Sequence, residues 1–327
     1  MKAIQFEQYG GPEVLKYIDL DYPKPRDFEV VIKIEAIGVN YADTARREGQ
    51  YVVDTPLPYV PGSEVAGTVV EVGKDVKGIS VGSRVVTLLS SRKATGYAEY
   101  TVADGRALIP VPDNVEFSTA VALPLQGLSA YHILKTMGRL EKGETVLIHA
   151  AAGGVGTLAV QLAKLFGAGK VIATASTDEK LALAKELGAD VLINYTKEGW
   201  EKEVLTATNG VGADVALEMA GGDVFRKTLD CLAPFGRLVI YGVASGEQAR
   251  LYPSSLMAEN KSVIGFFLPG IMKKQELYSS SLTELLTYVN DGTLLLKIGG
   301  VFPLEKAADV HRLLQSRKTQ GKLVLVP

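Results

Sequence analysis

Cysteine is nearly absent. Cys231 is the only one in 327 residues, so no intrachain disulfide can form, and a structural zinc site built on three or four thiolates is excluded. A reducing compartment is compatible with such a chain. An excess of one charge is also lacking: 35 Lys and Arg stand against 37 Asp and Glu, a net charge of −2. No broad cationic field is available to hold a nucleic-acid backbone or an anionic membrane surface, so nucleic acid is not an expected partner and only local basic pockets remain. Long apolar runs are missing as well. No uncharged stretch is long enough to span a bilayer, and MKAIQFEQYGGPEVLKY carries Lys, Gln and Glu within its first apolar stretch, unlike the apolar centre of a secretion signal. The expectation is a cytoplasmic protein with no membrane partner.

What is there is a chain with 47% hydrophobic and 22% charged residues, an ordinary composition for a globular protein and long enough for about two domains. The first third reads as short strands punctuated by Gly and Pro: MKAIQFEQ, EVVIKIEAIGVN, EVAGTVVEVG, GSRVVTLL and YAEYTV. That pattern points to a small β-barrel, with NYADTARREGQ as its one helical candidate. Near residue 118 the pattern changes. STAVALPLQGLSAYHILKTMGRL has helical spacing interrupted by Pro124, with Ser118 as a candidate N-cap. Strand and helix then alternate through TVLIHA, VGTLAVQLAKLFGA, KVIATA, TDEKLALAKELGA and VLINY, followed by ADVALEMA, RLVIYG and SVIGFFLP. Apolar strands separated by amphipathic helices indicate a parallel sheet covered on both faces. The closing KLVLVP reads as a strand that returns to the first domain. The expected division is α/β overall: residues 1–122 β-rich, 123–266 a doubly wound parallel sheet, and 267–327 the return.

The stretch IHAAAGGVGT carries the chemistry. Strand gives way to helix at Gly153, Gly154, Val155 and Gly156, where free N–H groups and the positive end of the helix dipole suit a pyrophosphate. Gly153 lets backbone approach the phosphates, and Gly156 lets helix and strand pack closely. Ala151 stands where the dinucleotide fingerprint has its first glycine, so the loop alone also fits a plain tight turn; the flanking strand, helix and second strand favour the dinucleotide. An NAD-selective site ends its second strand in Asp or Glu, about 20 residues on. Here Ala175 and Ser176 stand there, with no carboxylate to repel a 2′-phosphate. Ser176 can donate a hydrogen bond and Lys180 can supply charge, which points to NADP(H), although Lys180 also reads as a solvated helix residue and Asp178 and Glu179 weigh against a cationic pocket.

The order of these motifs resembles the medium-chain dehydrogenase/reductase superfamily. Within it, AIGVNYADTARREGQY, PYVPGSEVAGTVVEVG, GYAEY, INY and SRKTQGKLVLVP look like the quinone oxidoreductase (zeta-crystallin-like) branch, over essentially the whole chain. The resemblance implies a GroES-like β-barrel catalytic domain plus a Rossmann domain. It implies Asn40 near the nicotinamide, Tyr131 near the phosphates or ribose, and Tyr195 and Arg317 joining Ser176 and Lys180 around the 2′-phosphate. Gly242 and the segment with Phe266 and Phe267 would line the nicotinamide end. Tyr51 is the candidate catalytic acid, with Asn40 hydrogen-bonding a substrate oxygen. Plain alternatives stand beside these: Tyr195 as a strand cap, Arg317 as surface charge, Tyr51 as packing. Ala45 departs from bacterial relatives that carry Tyr there.

Zinc-dependent members of that superfamily use a Cys, a His in a G-H-E motif and a further ligand. Here the motif reads Gly62-Ser63-Glu64 and Asn40 lies near the Cys position, so no zinc is expected. His132, His149 and His311 read as structural or solvent-facing. Without a Lewis acid, alcohol oxidation is hard, whereas hydride donation to a quinone or an activated C=C bond is easy. The leading expectation is an NADPH-dependent quinone oxidoreductase. An enone, alkenal or enoyl-thioester reductase is the alternative, with Arg46 and Arg47 as a hint of a basic patch for an acyl carrier. A non-enzymatic NADPH-binding protein is the third reading. The apolar edge strand at 261–269 suggests a homodimer.

Overall fold

The computed structural model describes residues 1–89 and 95–327. The chain forms two compact units, Met1–Leu125 with Ile271–Pro327, and Gln126–Gly270. No helix among the described residues is long and apolar enough to cross a membrane.

The first unit is built on a seven-stranded mixed sheet. Its path runs Ile298–Pro303, Lys322–Val326, Glu29–Val39, Glu64–Val72, Arg84–Leu88 and Ile109–Pro110, with Tyr100–Asp104 pairing back onto Glu29–Val39. The β-branched run EVVIKIEAIGV explains the central strand. It is buried along most of its length and pairs with Glu64–Val72, Tyr100–Asp104 and Lys322–Val326. Buried Ile, Val and Leu from these strands form one core with Phe6 and Tyr59. KLVLVP does return here, with Leu323 opposite Val39 and Leu325 opposite Ile37.

The second unit carries a six-stranded sheet in the order Val191–Asn194, Lys170–Ala175, Thr145–Ile148, Ala213–Glu218, Leu232–Ile240, Ser262–Gly265. All its pairs are parallel. The order reverses beside Thr145–Ile148: the chain runs out to one edge, then crosses to Ala213–Glu218. Connections leaving those two strands part in opposite directions, which opens a crevice at their carboxyl ends. The glycine stretch begins there.

Three expectations need correction. Ser118 is no cap: the helix Phe117–Ala120 begins one residue earlier and Glu116 takes the N-cap position without a side-chain bond. Around Pro124 the helical run continues as a wider turn, Leu123–Gly127, because proline has no N–H for the regular i→i−4 bond. The edge strand expected over 261–269 is only Ser262–Gly265. The Phe266 N–H still reaches the Ile240 carbonyl at 2.8 Å, but Leu268–Met272 is already helical around Pro269.

Candidate functional site

In the second unit the backbone makes the site. Ala150 takes a left-handed φ of 50°, the Gly153 N–H turns back to the Ala150 carbonyl at 2.8 Å, and the Ala151 N–H donates to Thr174 on the neighbouring strand at 3.0 Å. Gly153 then caps the helix Gly154–Leu165, whose first N–H groups have no partner within the helix. A Cβ on Gly156 would land on the Ala150 carbonyl oxygen and the Ala151 backbone, and one on Gly154 would meet the Gln126 amide. Gly153 is more open: its Cβ would lie 3.2 Å from the Ala150 oxygen. The cradle is therefore kept free of side chains by steric necessity at Gly156, and Val155 contributes its backbone N–H in the first turn. Such a donor-lined, glycine-rich cradle suits a pyrophosphate. His149 props it from below. Its ring sits between the Thr174 and Thr228 hydroxyls at 2.8 Å each and edge-on to Trp200, and burial lowers its pKa to about 4.

Ser176, Lys180 and Tyr195, expected around a 2′-phosphate, lie just beyond the ends of the neighbouring strands Lys170–Ala175 and Val191–Asn194. Ala175 ends its strand buried, with half-buried Ser176 next. The Tyr195 N–H donates to the Ala175 carbonyl at 3.2 Å, which sets Tyr195 beside Ser176. Thr177 caps the helix Asp178–Glu186 and its hydroxyl accepts from the Lys180 N–H at 3.4 Å; burial pushes the Lys180 ammonium below its ordinary range. No carboxylate ends this strand. Elsewhere in the unit, the Tyr131 hydroxyl accepts from Lys135 at 2.7 Å, and its ring packs edge-on against Phe166. Gly242 and Phe266 follow adjacent strands, and Phe267 is 43% exposed. Glu218 is an addition that sequence reasoning missed. It ends its strand fully buried, caps the Ala220 and Gly221 N–H groups through Oε1 at 2.7 and 2.9 Å, and leaves Oε2 without a partner among the described residues.

In the first unit, buried side chains make the site. Asn40 precedes the helix Tyr41–Arg47, and its backbone N–H donates to Asp43 at 2.9 Å. The Asn40 amide donates to Glu64 at 2.7 Å and to the Gly38 carbonyl at 3.3 Å, while its oxygen accepts from Lys322 at 2.8 Å. Lys322 also forms an ion pair with Glu64, whose other oxygen accepts from the Leu125 N–H at 2.7 Å. Gly38 is glycine because any Cβ would strike the Glu64 carboxylate. Asn40, Glu64 and Lys322 are each at most 2% exposed, so Asn40 sits among protein partners that use its whole amide.

A second buried chain ends on Asp43. Arg47 donates to Nδ1 of His311 at 3.2 Å. That leaves the proton of the neutral ring on Nε2, which lies 3.0 Å from the Tyr97 hydroxyl; Tyr97 in turn donates to Asp43 at 3.4 Å. Burial raises Asp43 to about 6, and burial, with Arg47 beside it, lowers His311 to about 3. All three histidines are buried, so none is solvent-facing. Arg46 and Arg47, expected as a basic patch, are 1% and 0% exposed and lie inside the unit.

Tyr51 is half-buried on the loop that follows the helix. Burial raises its phenol above the ordinary range, opposed by Arg46. The loop is pinned by the Tyr9 hydroxyl, which donates to the Thr55 carbonyl at 2.8 Å, and by Arg46, which donates to the Thr55 hydroxyl at 3.1 Å. Arg317 also belongs to this unit, at a left-handed φ of 59°. The positions of zinc ligands do not suit a dication. Asn40 and Ser63 offer only neutral oxygens, and the Lys322 ammonium lies against both Asn40 and Glu64, where it would repel a metal.

Residues 26–113 match the family described as alcohol dehydrogenase GroES-like domain, and residues 154–286 the family described as zinc-binding dehydrogenase. A quinone oxidoreductase of Pseudomonas aeruginosa is 37% identical over 100% of this chain and 99% of its own length. The human quinone oxidoreductase is 33% identical over 100% and 98%. The structure of Escherichia coli quinone oxidoreductase complexed with NADPH superposes with a TM-score of 0.94 at 33% identity, covering 100% of both chains.

Proposed function

The chain belongs to the quinone oxidoreductase branch of the medium-chain dehydrogenases/reductases, and from that premise we propose that it is a cytoplasmic reductase that passes reducing equivalents from NADPH to a quinone without a metal. The observation that carries this reading is the glycine-rich cradle at Gly153–Gly156 beside a second strand that ends at Ala175, with Ser176 next. The cradle N–H groups would hold the pyrophosphate. Ser176, Lys180 and Tyr195 would hold the 2′-phosphate. Tyr131, Gly242, Phe266 and Phe267 would bound the remainder of the cofactor. Bound there, NADPH supplies a hydride; the protein's part is to orient the acceptor, exclude water and manage the proton.

The overall change is quinone plus NADPH plus one proton, giving hydroquinone and NADP⁺. Tyr51 is the proposed proton donor, since burial keeps its phenol protonated through the neutral range. Asn40 takes a positioning role: it fixes the start of the helix that leads to Tyr51 and holds Glu64 and Lys322 in place. Tyr51 also favours a second reading, because reduction of an enone or enoyl thioester needs a proton at one end of the former double bond. In that reaction the hydride reaches the electron-poor carbon and the π pair moves toward the carbonyl. The Tyr51 hydroxyl protonates the resulting enolate, and water re-protonates the phenolate.

NADPH oxidation with naphthoquinone, phenanthrenequinone, enones and crotonyl thioester tests both readings. Quinone turnover with NADPH bound tighter than NADH is the expected result. Turnover of none of the panel would leave only a nucleotide-binding protein, and stoichiometric zinc after dialysis against chelator would end the metal-free reading. We further propose a homodimer through Ser262–Gly265, which ends its sheet with half-buried Val263 and Ile264; a monomeric sedimentation profile at micromolar concentration would refute it.

A further inference from the structure

Arg46 has no place in the reading so far. It is 1% exposed yet carries a full charge at every working pH. A buried guanidinium ordinarily faces a carboxylate, but among the described residues Arg46 has no ion-pair partner. Among the described residues its guanidinium donates to the Thr55 hydroxyl at 3.1 Å and also bonds the Tyr51 side chain, while its buried Nε has no partner. Two aromatic rings face the cation instead: Tyr51, with its centroid 4.1 Å from the guanidinium carbon, and Tyr59, at 5.6 Å. An apolar side chain would fill this space without stranding a donor, so the charge is costly where it stands. What it does is act on Tyr51. A cation over a ring holds that ring in place, and it stabilises the anionic phenolate more than the neutral phenol.

We propose that Arg46 is a positioning residue for proton transfer: it fixes the Tyr51 ring and biases the phenol toward giving its proton to the product. This rests on the reading of Tyr51 as proton donor. Among the described residues, Arg46 and Asp43, both from the helix Tyr41–Arg47, act on the phenol; Arg46 lowers its proton affinity and Asp43 raises it. Asp43 itself titrates at about 6, so above a pH of about 8 its charge is constant and differences between variants report Arg46.

The test uses the full-length enzyme labelled with 3-fluorotyrosine, in which the Tyr51 fluorine resonance is the one lost in Tyr51→Phe. Arg46→Met removes the charge and keeps apolar bulk; Arg46→Lys restores the charge without the planar stack. The Tyr51 titration midpoint should rise by about one pH unit in Arg46→Met and return most of the way in Arg46→Lys. Enone turnover should fall about tenfold in Arg46→Met at unchanged KM for NADPH, with no further loss when Arg46→Met is added to Tyr51→Phe. An unmoved midpoint overturns the proposal. So does a rate loss that persists undiminished in the Tyr51→Phe background, since Arg46 would then act on substrate directly. Enone turnover unaffected by Tyr51→Phe removes the proton-donor reading and the catalytic half of this proposal with it, while a moved midpoint would still establish the coupling between the two side chains. If Arg46→Met does not fold, Arg46→Gln keeps a hydrogen bond to Thr55 without charge and carries the same expectations.

Discussion

The two units solve opposite problems. At Gly153–Gly156 the second unit removes side chains so that backbone N–H groups and a helix end face outward, and a single added Cβ at Gly156 would strike the Ala150 carbonyl. At Asn40, Asp43 and Glu64 the first unit buries polar and charged side chains, pairing Glu64 with Lys322 and linking Asp43 through Tyr97 and His311 to Arg47; Lys322 and His311 arrive from far away in the chain, Lys322 lying 282 residues from Asn40. The first kind of site fails when an atom is added and the second when one is taken away. A backbone site is written in one contiguous stretch. A side-chain network is written in residues that only the finished fold brings together.

The largest expected effect lies in the network. Lys322→Met leaves the Glu64 carboxyl group at 0% exposure with the Asn40 amide and the Leu125 N–H as its remaining hydrogen-bond partners among the described residues. Breaking a buried pair from one side costs about 3–5 kcal/mol. Urea unfolding should show that loss, and Lys322→Met combined with Glu64→Gln should recover more than half of it, because no charge is then stranded. A loss below about 1 kcal/mol would mean that the pair behaves like a surface contact and that the contrast between the units is overstated.

Next is the cradle. Gly156→Ala must displace backbone, so it should cost about 2–3 kcal/mol of stability and weaken NADPH binding by roughly ten- to a hundredfold. Gly153→Ala meets only one oxygen at 3.2 Å and should weaken binding severalfold at most. Fluorescence titration of both variants orders them; equal losses would show that bulk near the phosphates matters more than the helix–strand contact.

The same contrast explains what could be read before folding. The parallel strands, the helix Gly154–Leu165 and the strand end without a carboxylate before Ser176 were legible because each is a local pattern: an apolar run, a glycine cluster, a missing carboxylate. The helix Tyr41–Arg47 was legible from its spacing. Arg46 and Arg47 were misread as surface charge, since nothing local distinguishes a solvated RR pair from one whose partners are tyrosine rings and His311. Lys322 looked like any lysine near a terminus. Glu64 was noticed only for the motif it sits in, and Glu218 only ended an apolar strand. Ser118 was a reasonable cap by residue type, but the helix began one residue earlier.

The smallest effect separates the units by pH. In the second unit, burial lowers His132 and His149 to about 4 each. The unfolded chain takes up these protons at about 6.5 and the folded unit does not, so stability present above that value is lost as pH falls. Glu218, raised by burial, returns part of the loss only at the acid end, where carboxylates titrate. The first unit has one such histidine, His311, lowered to about 3, and against it Asp43, raised to about 6. Below pH 6 the folded unit holds a proton on Asp43 that the unfolded chain, with an aspartate at about 3.9, does not, and this offsets the histidine. Between pH 7 and 5.5 the second unit should therefore lose on the order of 2–3 kcal/mol while the first stays nearly level. Hydrogen exchange, corrected for its intrinsic pH dependence, would read this from Thr145–Ile148 and Ala213–Glu218 against Glu29–Val39 and Glu64–Val72. Asp43→Asn should make the first unit acid-sensitive as well. Equal losses in the unsubstituted protein would mean that Asp43 does not carry its proton in the folded state, and that the buried chain from Arg47 through His311 and Tyr97 ends on a carboxylate ionised throughout this range.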